Sequence, residues 1–244
     1  MKLLFIRHAH PDYRLDSLTE KGWREAGYLA KKLEQMKIDE FYVSPYGRAL
    51  DTASVTMKKI GRNAIECEWL QEYGNPAPRF RSKDYKEWNA WDKLAGTWEN
   101  DERFFRYDEW YLNETYAEKG MKEEYHRVIK HFDELLAIHG YEREGHFYKV
   151  KEGNNKVLAF FCHFGITAVL LSHLLNVSPM LLWHGTCALP SSITTVVTDE
   201  RQKGTAMFRM TSFGELSHLE LNGELPAKTG LKIEFYKKEQ GDET

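Results

Sequence analysis

Two short apolar runs, far apart in the chain, each end in a histidine, and this pairing limits the fold more than any other feature. Leu3-Leu4-Phe5-Ile6 leads into Arg7-His8, and Val157-Leu158-Ala159-Phe160-Phe161 leads into Cys162-His163-Phe164-Gly165. A continuous apolar run of this length suits a strand buried on both faces, as in a sheet covered by helices. The segments between them alternate in period. Ala26, Leu29, Ala30 and Leu33 repeat at helical spacing, so a helix is expected over about 19 to 36, with Ser17 or Thr19 as its cap. Glu40-Phe41-Tyr42-Val43 reads as a strand that stops at Ser44-Pro45. Serine as N-cap with proline at the first helical position predicts a helix start there, carrying Arg48, Ala49, Thr52, Ala53, Val55 and Thr56.

Ile65-Glu66-Cys67-Glu68 suits a third strand. Tyr125, Val128, Ile129, Phe132, Leu135 and Leu136 predict a helix over 121–139, and the polar, glycine-rich stretch 140–155 reads as a loop or edge hairpin. After His163, a helix is expected to present Val169, Leu170, Leu174 and Leu175. Ile193 to Thr198 and Ala206 to Met210 alternate like a hairpin, and Ile233 to Tyr236 suits a further strand or arm. Strands alternating with helices argue an α/β fold, a three-layer α/β/α sandwich with a mainly parallel sheet. Ligands of such sheets bind at the carboxyl ends of the strands. His8 and His163 stand at two of those ends.

One stretch breaks the alternation. Residues 73–120 open with Asn75-Pro76-Ala77-Pro78 and then mix aromatics with charges at no clean period. We read a cap or lid inserted into a single domain spanning 1–244. Trp88, Trp91, Trp98, Phe104, Phe105, Tyr107, Trp110 and Tyr111 suit either the apolar underside of a cap or a lid over a site. Such a surface would also suit a homodimer contact. Arg79, Arg81, Arg103 and Arg106 suit a solvated face or a second anionic group.

Composition narrows the function. The formal net charge is −3, which offers no global basic field for nucleic acid or an anionic membrane. No stretch approaches the roughly 20 apolar residues of a membrane span, and the first residues do not read as a secretory leader. The three cysteines, Cys67, Cys162 and Cys187, are widely spaced with no CxxC, so neither a disulfide framework nor structural zinc is expected and a reducing cytoplasm is.

The chemistry is carried by a few residues. Arg7-His8 sets a candidate nucleophile or base beside an anion clamp. Arg48 lies near a helix N-terminus, where the dipole disfavours a cation but attracts phosphate. His163 repeats the His8 pattern, and Glu72 follows a predicted strand. His8, His10, His163 and His184 match no metal-ligand spacing, and nearby arginines would oppose a cation.

In order along the chain, these blocks resemble the histidine phosphatase (phosphoglycerate mutase-like) superfamily. Leu4-Phe5-Ile6-Arg7-His8-Ala9 is similar to its strand with Arg-His-Gly. Leu18-Thr19-Glu20-Lys21-Gly22 resembles its first helix, and Ser44-Pro45-Tyr46-Gly47-Arg48-Ala49-Leu50-Asp51-Thr52-Ala53 its second block. Leu70-Gln71-Glu72-Tyr73-Gly74 resembles the proton-donor block, and Cys162-His163-Phe164-Gly165 the late His-Gly block. The resemblance covers residues 3–74 and 157–175. It implies a phosphomonoesterase acting on a small phosphorylated metabolite through a phosphohistidine on His8, with Glu72 as acid and base and no cofactor or metal. It further implies catalytic His163, and phosphate binding by Arg7, Arg48, His163 and the Phe164 main chain.

Two positions depart from the pattern. Ala9 replaces a usual glycine and would be strained at positive φ. Phe164 replaces a frequent glycine, and its ring would narrow the pocket. The family's mutases carry a tryptophan- and asparagine-containing stretch after the Arg-His block. Here His10-Pro11-Asp12-Tyr13-Arg14-Leu15-Asp16-Ser17 lacks it, which favours a phosphatase over a cofactor-dependent phosphoglycerate mutase. A catalytically silent binder of phospholigands is the third alternative.

Overall fold

The computed structural model describes residues 1–74, 93 and 95–228. The expectations for Asn75 to Pro78, Arg79, Arg81, Trp88, Trp91 and Ile233 to Tyr236 lie outside the described residues.

The first apolar run is strand β1 (Lys2–Arg7). A two-strand ribbon, β2 (Pro11–Asp12) and β3 (Ser17–Leu18), leads to helix α1 (Glu20–Glu34). Thr19 caps α1 by accepting from the Gly22 N–H, one of the donors a helix start leaves unpaired. Gly22 has a second reason to be there. A Cβ on it would lie 2.2 Å from the His10 carbonyl oxygen, so only glycine lets the loop after His8 rest on this helix.

Strand β4 (Glu40–Val43), helix α2 (Gly47–Ile60) and the two-residue strand β5 (Ile65–Glu66) follow. The described part of the segment read as a cap holds short 3-10 turns at Ala95–Thr97, Glu102–Phe105 and Trp110–Leu112, then helix α3 (Glu114–Ala117). Helix α4 (Met121–Ile138) agrees with its expected span, and the glycine-rich stretch is an edge hairpin of β6 (Tyr141–Glu144) and β7 (Phe147–Val150). The second apolar run is β8 (Val157–Cys162), followed by α5 (Phe164–Leu175) and α6 (Pro179–Gly185). The predicted hairpin is β9 (Ile193–Gln202) with β10 (Thr205–Glu215), and α7 (Ser217–Glu220) follows it.

The eight-stranded sheet has the order β5-β4-β8-β1-β9-β10-β7-β6. Strands β5, β4, β8 and β1 are mutually parallel, β9 and β7 run against them, and β10 and β6 again point with β1. The sheet is thus mixed and mostly parallel in direction.

Side chains alternate across a strand, and the apolar runs feed both faces. Leu3, Phe5, Tyr42, Leu158 and Phe160 join one cluster with α4, α5 and α6 residues such as Phe132, Ile166 and Trp183. Leu4, Ile6, Phe41, Val43, Ala159 and Phe161 join the other with Leu29, Leu33, Ala53 and Met57 of α1 and α2. This is the expected α/β/α sandwich. Phe160 stacks on Phe5 at 5.3 Å and on Tyr42 at 5.1 Å between ring centroids. Truncating such a side chain costs about 3–5 kcal/mol.

Two local readings change. Helix α5 is buried on nearly every side, from Gly165 to Leu174, rather than along one stripe. Helix α2 starts at Gly47, with Tyr46 at the cap position and no side-chain cap bond, so Ser44 is not its N-cap. The Ser44 hydroxyl accepts from the Tyr46 N–H at 3.3 Å and is also hydrogen-bonded to His163 Nε2 at 2.7 Å. Of the cap aromatics within the described residues, Phe104, Trp110 and Tyr111 are buried in the larger cluster, while Phe105 stays exposed.

Candidate active site

Strands β1 and β8 pair in register from Lys2↔Val157 to Arg7↔Cys162. The ladder extends one step further, because the His8 N–H donates to the Cys162 carbonyl at 2.9 Å. The next residues, His8 and His163, therefore emerge side by side at the carboxyl end of the sheet, ring centroids 5.2 Å apart. Two histidines 155 positions apart in sequence meet because two apolar strands end level.

His8 is buried, and its Nδ1 lies 2.8 Å from the Ala9 carbonyl oxygen. A carbonyl can only accept, so Nδ1 carries the proton and Nε2 is the unprotonated nitrogen. Burial holds the His8 pKa well below its usual value, with the Arg7 and Arg48 cations pushing the same way. At neutral pH the ring is an uncharged base with one defined tautomer. Burial likewise holds His163 low, followed by Arg48, His8 and Arg7. Its Nε2 meets Ser44, and its buried Nδ1 has no hydrogen-bond partner among the described residues.

Glu72 follows a 3-10 turn at Glu68–Leu70 and is half-buried. Its Oε1 accepts from the Tyr73 and Ile166 main-chain N–H groups, each at 3.1 Å. The second bond caps the first turn of α5. Burial pushes the carboxyl up to about 7, against the opposing pull of Arg48 and Arg7. The side chain is thus poised between acid and carboxylate near neutral pH.

Arg7 is buried, with Nη1 donating to the Ala188 carbonyl at 2.6 Å. Arg48, also buried, lies over the Tyr46 ring at 4.8 Å and the Tyr13 ring at 5.5 Å. Its Nε is buried without a hydrogen-bond partner among the described residues. His8, His163 and Glu72 all feel the field of both arginines, so the five groups converge on one place. Phe164 opens α5, so its main-chain N–H is one of the donors at that helix start. Its ring packs on the larger apolar cluster.

The Ala9 departure carries no backbone strain: Ala9 is not among the non-glycine residues at positive φ. Its N–H donates to Thr52 Oγ1 at 3.0 Å, and Thr52 in turn donates to the Arg48 carbonyl at 2.7 Å. These bonds tie the loop after His8 to the helix that carries Arg48. Arg103 pairs with Asp101 and Glu114, and Arg106 with Glu109, so both of these arginines already have anions beside them. Of the other histidines weighed as ligands, His10 bonds Thr19 and His184 bonds the Met180 carbonyl.

Three residues of the site escaped the sequence reading. Asp16 pairs through Oδ1 with Arg48 Nη1, and its Oδ2 accepts from the Gly47 N–H at 2.7 Å, so it occupies the start of α2. Gly47 allows this approach, since a Cβ there would meet the Asp16 carbonyl oxygen at 2.1 Å. Ser44 was visible only as a helix cap, and Tyr46 packs edge-on against His163 at 5.2 Å. No local pattern announces these contacts.

Comparisons with known proteins point the same way. Residues 3–210 match the model of the histidine phosphatase superfamily (branch 1). A 2,3-bisphosphoglycerate-dependent phosphoglycerate mutase of Thermoplasma acidophilum is 32% identical over 81 residues, 29% of this chain and 40% of the mutase. A protein of Hydrogenobacter thermophilus described as putative phosphoserine phosphatase 2 is 35% identical over 80 residues, 29% of this chain and 39% of the relative. The chain therefore spans about 40% of the length of these curated relatives.

Among solved structures, the phosphoserine phosphatase of Entamoeba histolytica with 3-phosphoglyceric acid superposes with a TM-score of 0.58 at 19% identity, covering 89% of this chain and 98% of that one. A mycobacterial glucosyl-3-phosphoglycerate phosphatase gives 0.58 at 16% identity, covering 87% and 98%. At such identities the likeness speaks to the fold. With one family model matched from residue 3 to residue 210, the chain belongs to the histidine phosphatase superfamily, branch 1.

Proposed function

We propose that this protein is a phosphomonoester hydrolase that works through a phosphohistidine on His8. The observation that carries the reading is the buried His8 ring, its Nδ1 tied to the Ala9 carbonyl, beside the same Arg7 and Arg48 cations that act on Glu72. His8 Nε2 attacks phosphorus in line, forming the N–P bond as the P–O bond to the leaving alcohol breaks. Glu72 gives its proton to the departing oxygen. It then takes a proton from water, whose oxygen attacks phosphorus and releases orthophosphate and neutral His8.

Arg7 and Arg48 neutralise the equatorial oxygens in the transition state, and the uncharged His163 ring and the Phe164 main-chain N–H at the α5 start add hydrogen-bond donors. Arginines supply the positive charge, so no metal is assigned to the reaction. We further assign the substrate to small phosphorylated metabolites, and the protein to the cytoplasm on its cysteine pattern. No helix among the described residues is long and apolar enough to cross a membrane.

A mutase shares this chemistry but returns the phosphoryl group to another hydroxyl. The Thermoplasma relative is the observation in favour of that reading, over 29% of this chain. The test is to incubate the protein with a panel of phosphomonoesters including 3-phosphoglycerate. Free phosphate and phosphoglycerate isomers are both followed. Phosphate release supports the hydrolase. Isomer exchange without release refutes it in favour of the mutase, and phosphate binding without turnover would mark a silent binder.

A further inference from the structure

The wall behind His8 contains a buried hydroxyl–imidazole pair that the proposed chemistry does not use. Residues 188–192 form this wall. The Arg7 N–H donates to the Ser192 carbonyl at 3.0 Å, Arg7 Nη1 to the Ala188 carbonyl at 2.6 Å, and the Ser191 N–H to the His8 carbonyl at 3.0 Å. One five-residue stretch therefore grips both the anion clamp and the main chain of the nucleophile.

Ser191 holds its place at a conformational cost. Its φ is +60°, in the left-handed region, where a residue other than glycine is disfavoured. The side chain is completely buried, and its Oγ lies 3.0 Å from His218 Nε2. His218 is itself 2% exposed. Burial pushes the imidazole down to about 4, with Lys32 adding to the shift and Glu215 opposing it, so the ring is uncharged at neutral pH. A serine where glycine would be easier, its hydroxyl on a buried neutral ring, is explained if that bond locks the turn.

His218 in turn is anchored. Asn222 Nδ2 donates to the His218 carbonyl at 2.8 Å, and Lys32 of α1 donates to Ser217 Oγ at 2.8 Å and pairs with Glu215. Lys21 and Arg24 of α1 pair with Glu224. The C-terminal segment is thus clamped on α1. Among its described residues, His218 meets this wall through Ser191, and His218 lies beyond the span of the family match.

We propose that Ser191 and His218 are positioning residues for the nucleophile: together they fix the main chain of His8, and through it aim the imidazole at phosphorus. The ring's own tether is to the adjacent Ala9 carbonyl, so a shift of this backbone redirects Nε2. The inference rests on the reading of His8 as nucleophile.

The test compares the intact protein with Ser191→Gly, His218→Ala and His218→Gln. Rapid quench with p-nitrophenyl phosphate follows formation of acid-labile phosphoenzyme, and inorganic phosphate serves as the competitive probe of the empty pocket. Ser191→Gly suits the positive φ and keeps the N–H on His8 while removing the hydroxyl, so it reports even if His218→Ala does not fold. The expected result is an about tenfold slower phosphorylation in Ser191→Gly and His218→Ala, in keeping with the sensitivity of in-line attack to small misplacements. Phosphate inhibition should stay within about twofold, and His218→Gln should recover much of the rate. Phosphorylation at the wild-type rate in Ser191→Gly overturns the positioning role. So do equal losses of rate and phosphate affinity, which mark general disruption. Absence of any phosphoenzyme in the wild type would instead refute the nucleophile reading on which the pair depends.

Discussion

Replacing Glu72 by glutamine should make the protein a poorer catalyst and a more stable fold, and the gain in stability should depend on pH. Burial raises the Glu72 pKa from 4.5 to about 7. The folded state therefore binds this proton more tightly than the unfolded chain does. The group's contribution is most favourable below the unfolded pKa and is lost as pH rises towards the folded pKa. The loss is about 1.4 kcal/mol per pH unit over that window, about 3 kcal/mol in all.

Glutamine keeps an oxygen to accept from the Tyr73 and Ile166 N–H groups and has no proton to lose. Relative to wild type, Glu72→Gln should thus gain about 3 kcal/mol between pH 4.5 and 8. Urea denaturation of both proteins at several pH values reads this directly. The same substitution removes the proton donor, so turnover of alkyl phosphates should fall by about 10² or more, and that of p-nitrophenyl phosphate, whose leaving group departs unaided, much less. A stability difference that is flat from pH 4.5 to 8 would refute the raised pKa. Equal losses on alkyl and aryl substrates would refute the role as acid.

Other substitutions test the rest of the site. His8→Ala should abolish phosphoenzyme and turnover, since it removes the ring assigned to attack; activity above a tenth of wild type would overturn the assignment. Asp16→Asn should tighten inhibition by inorganic phosphate about threefold at low salt, because it removes a negative charge paired with Arg48 at the α2 start, and the effect should shrink as salt is added. Weaker phosphate inhibition would show instead that Asp16 mainly orients Arg48. Treatment with EDTA should leave phosphate release unchanged, and a loss restored by zinc or magnesium would contradict the arginine-based scheme.

Two serine-proline pairs show how far local pattern reaches. Ser44-Pro45 and Ser178-Pro179 carry the same helix-start signal. At the second the rule holds: Ser178 accepts from the Met180 N–H, with proline at the helix start. At the first, Ser44 likewise accepts from the Tyr46 N–H at 3.3 Å, yet α2 begins only at Gly47, and the same hydroxyl also meets His163, 119 positions away. Each serine also binds a distant partner, Ser44 to His163 and Ser178 to the Phe104 carbonyl, and local sequence names neither. The cap aromatics behave similarly. Composition marks the segment as unusual, but only packing shows that Trp110 is buried against Tyr73 and Trp183 while Phe105 is exposed.

Features with a helical or strand period can be read from local sequence. Strands buried on both faces must be continuously apolar, so Leu3 to Ile6 and Val157 to Phe161 were readable as the centre of a covered sheet, and the polar residues that end them as its active edge. The order of the blocks around Arg7-His8, Arg48, Glu72 and His163 carried the family. What depends on separations that no local window spans emerges only on folding. The level ends of β1 and β8 bring the two histidines within 5.2 Å, Asp16 reaches across to Arg48, and Ser191 with His218 backs the nucleophile. These contacts are single hydrogen bonds or ion pairs without periodicity. They exist only once the apolar faces have closed and excluded the water that would otherwise compete for them.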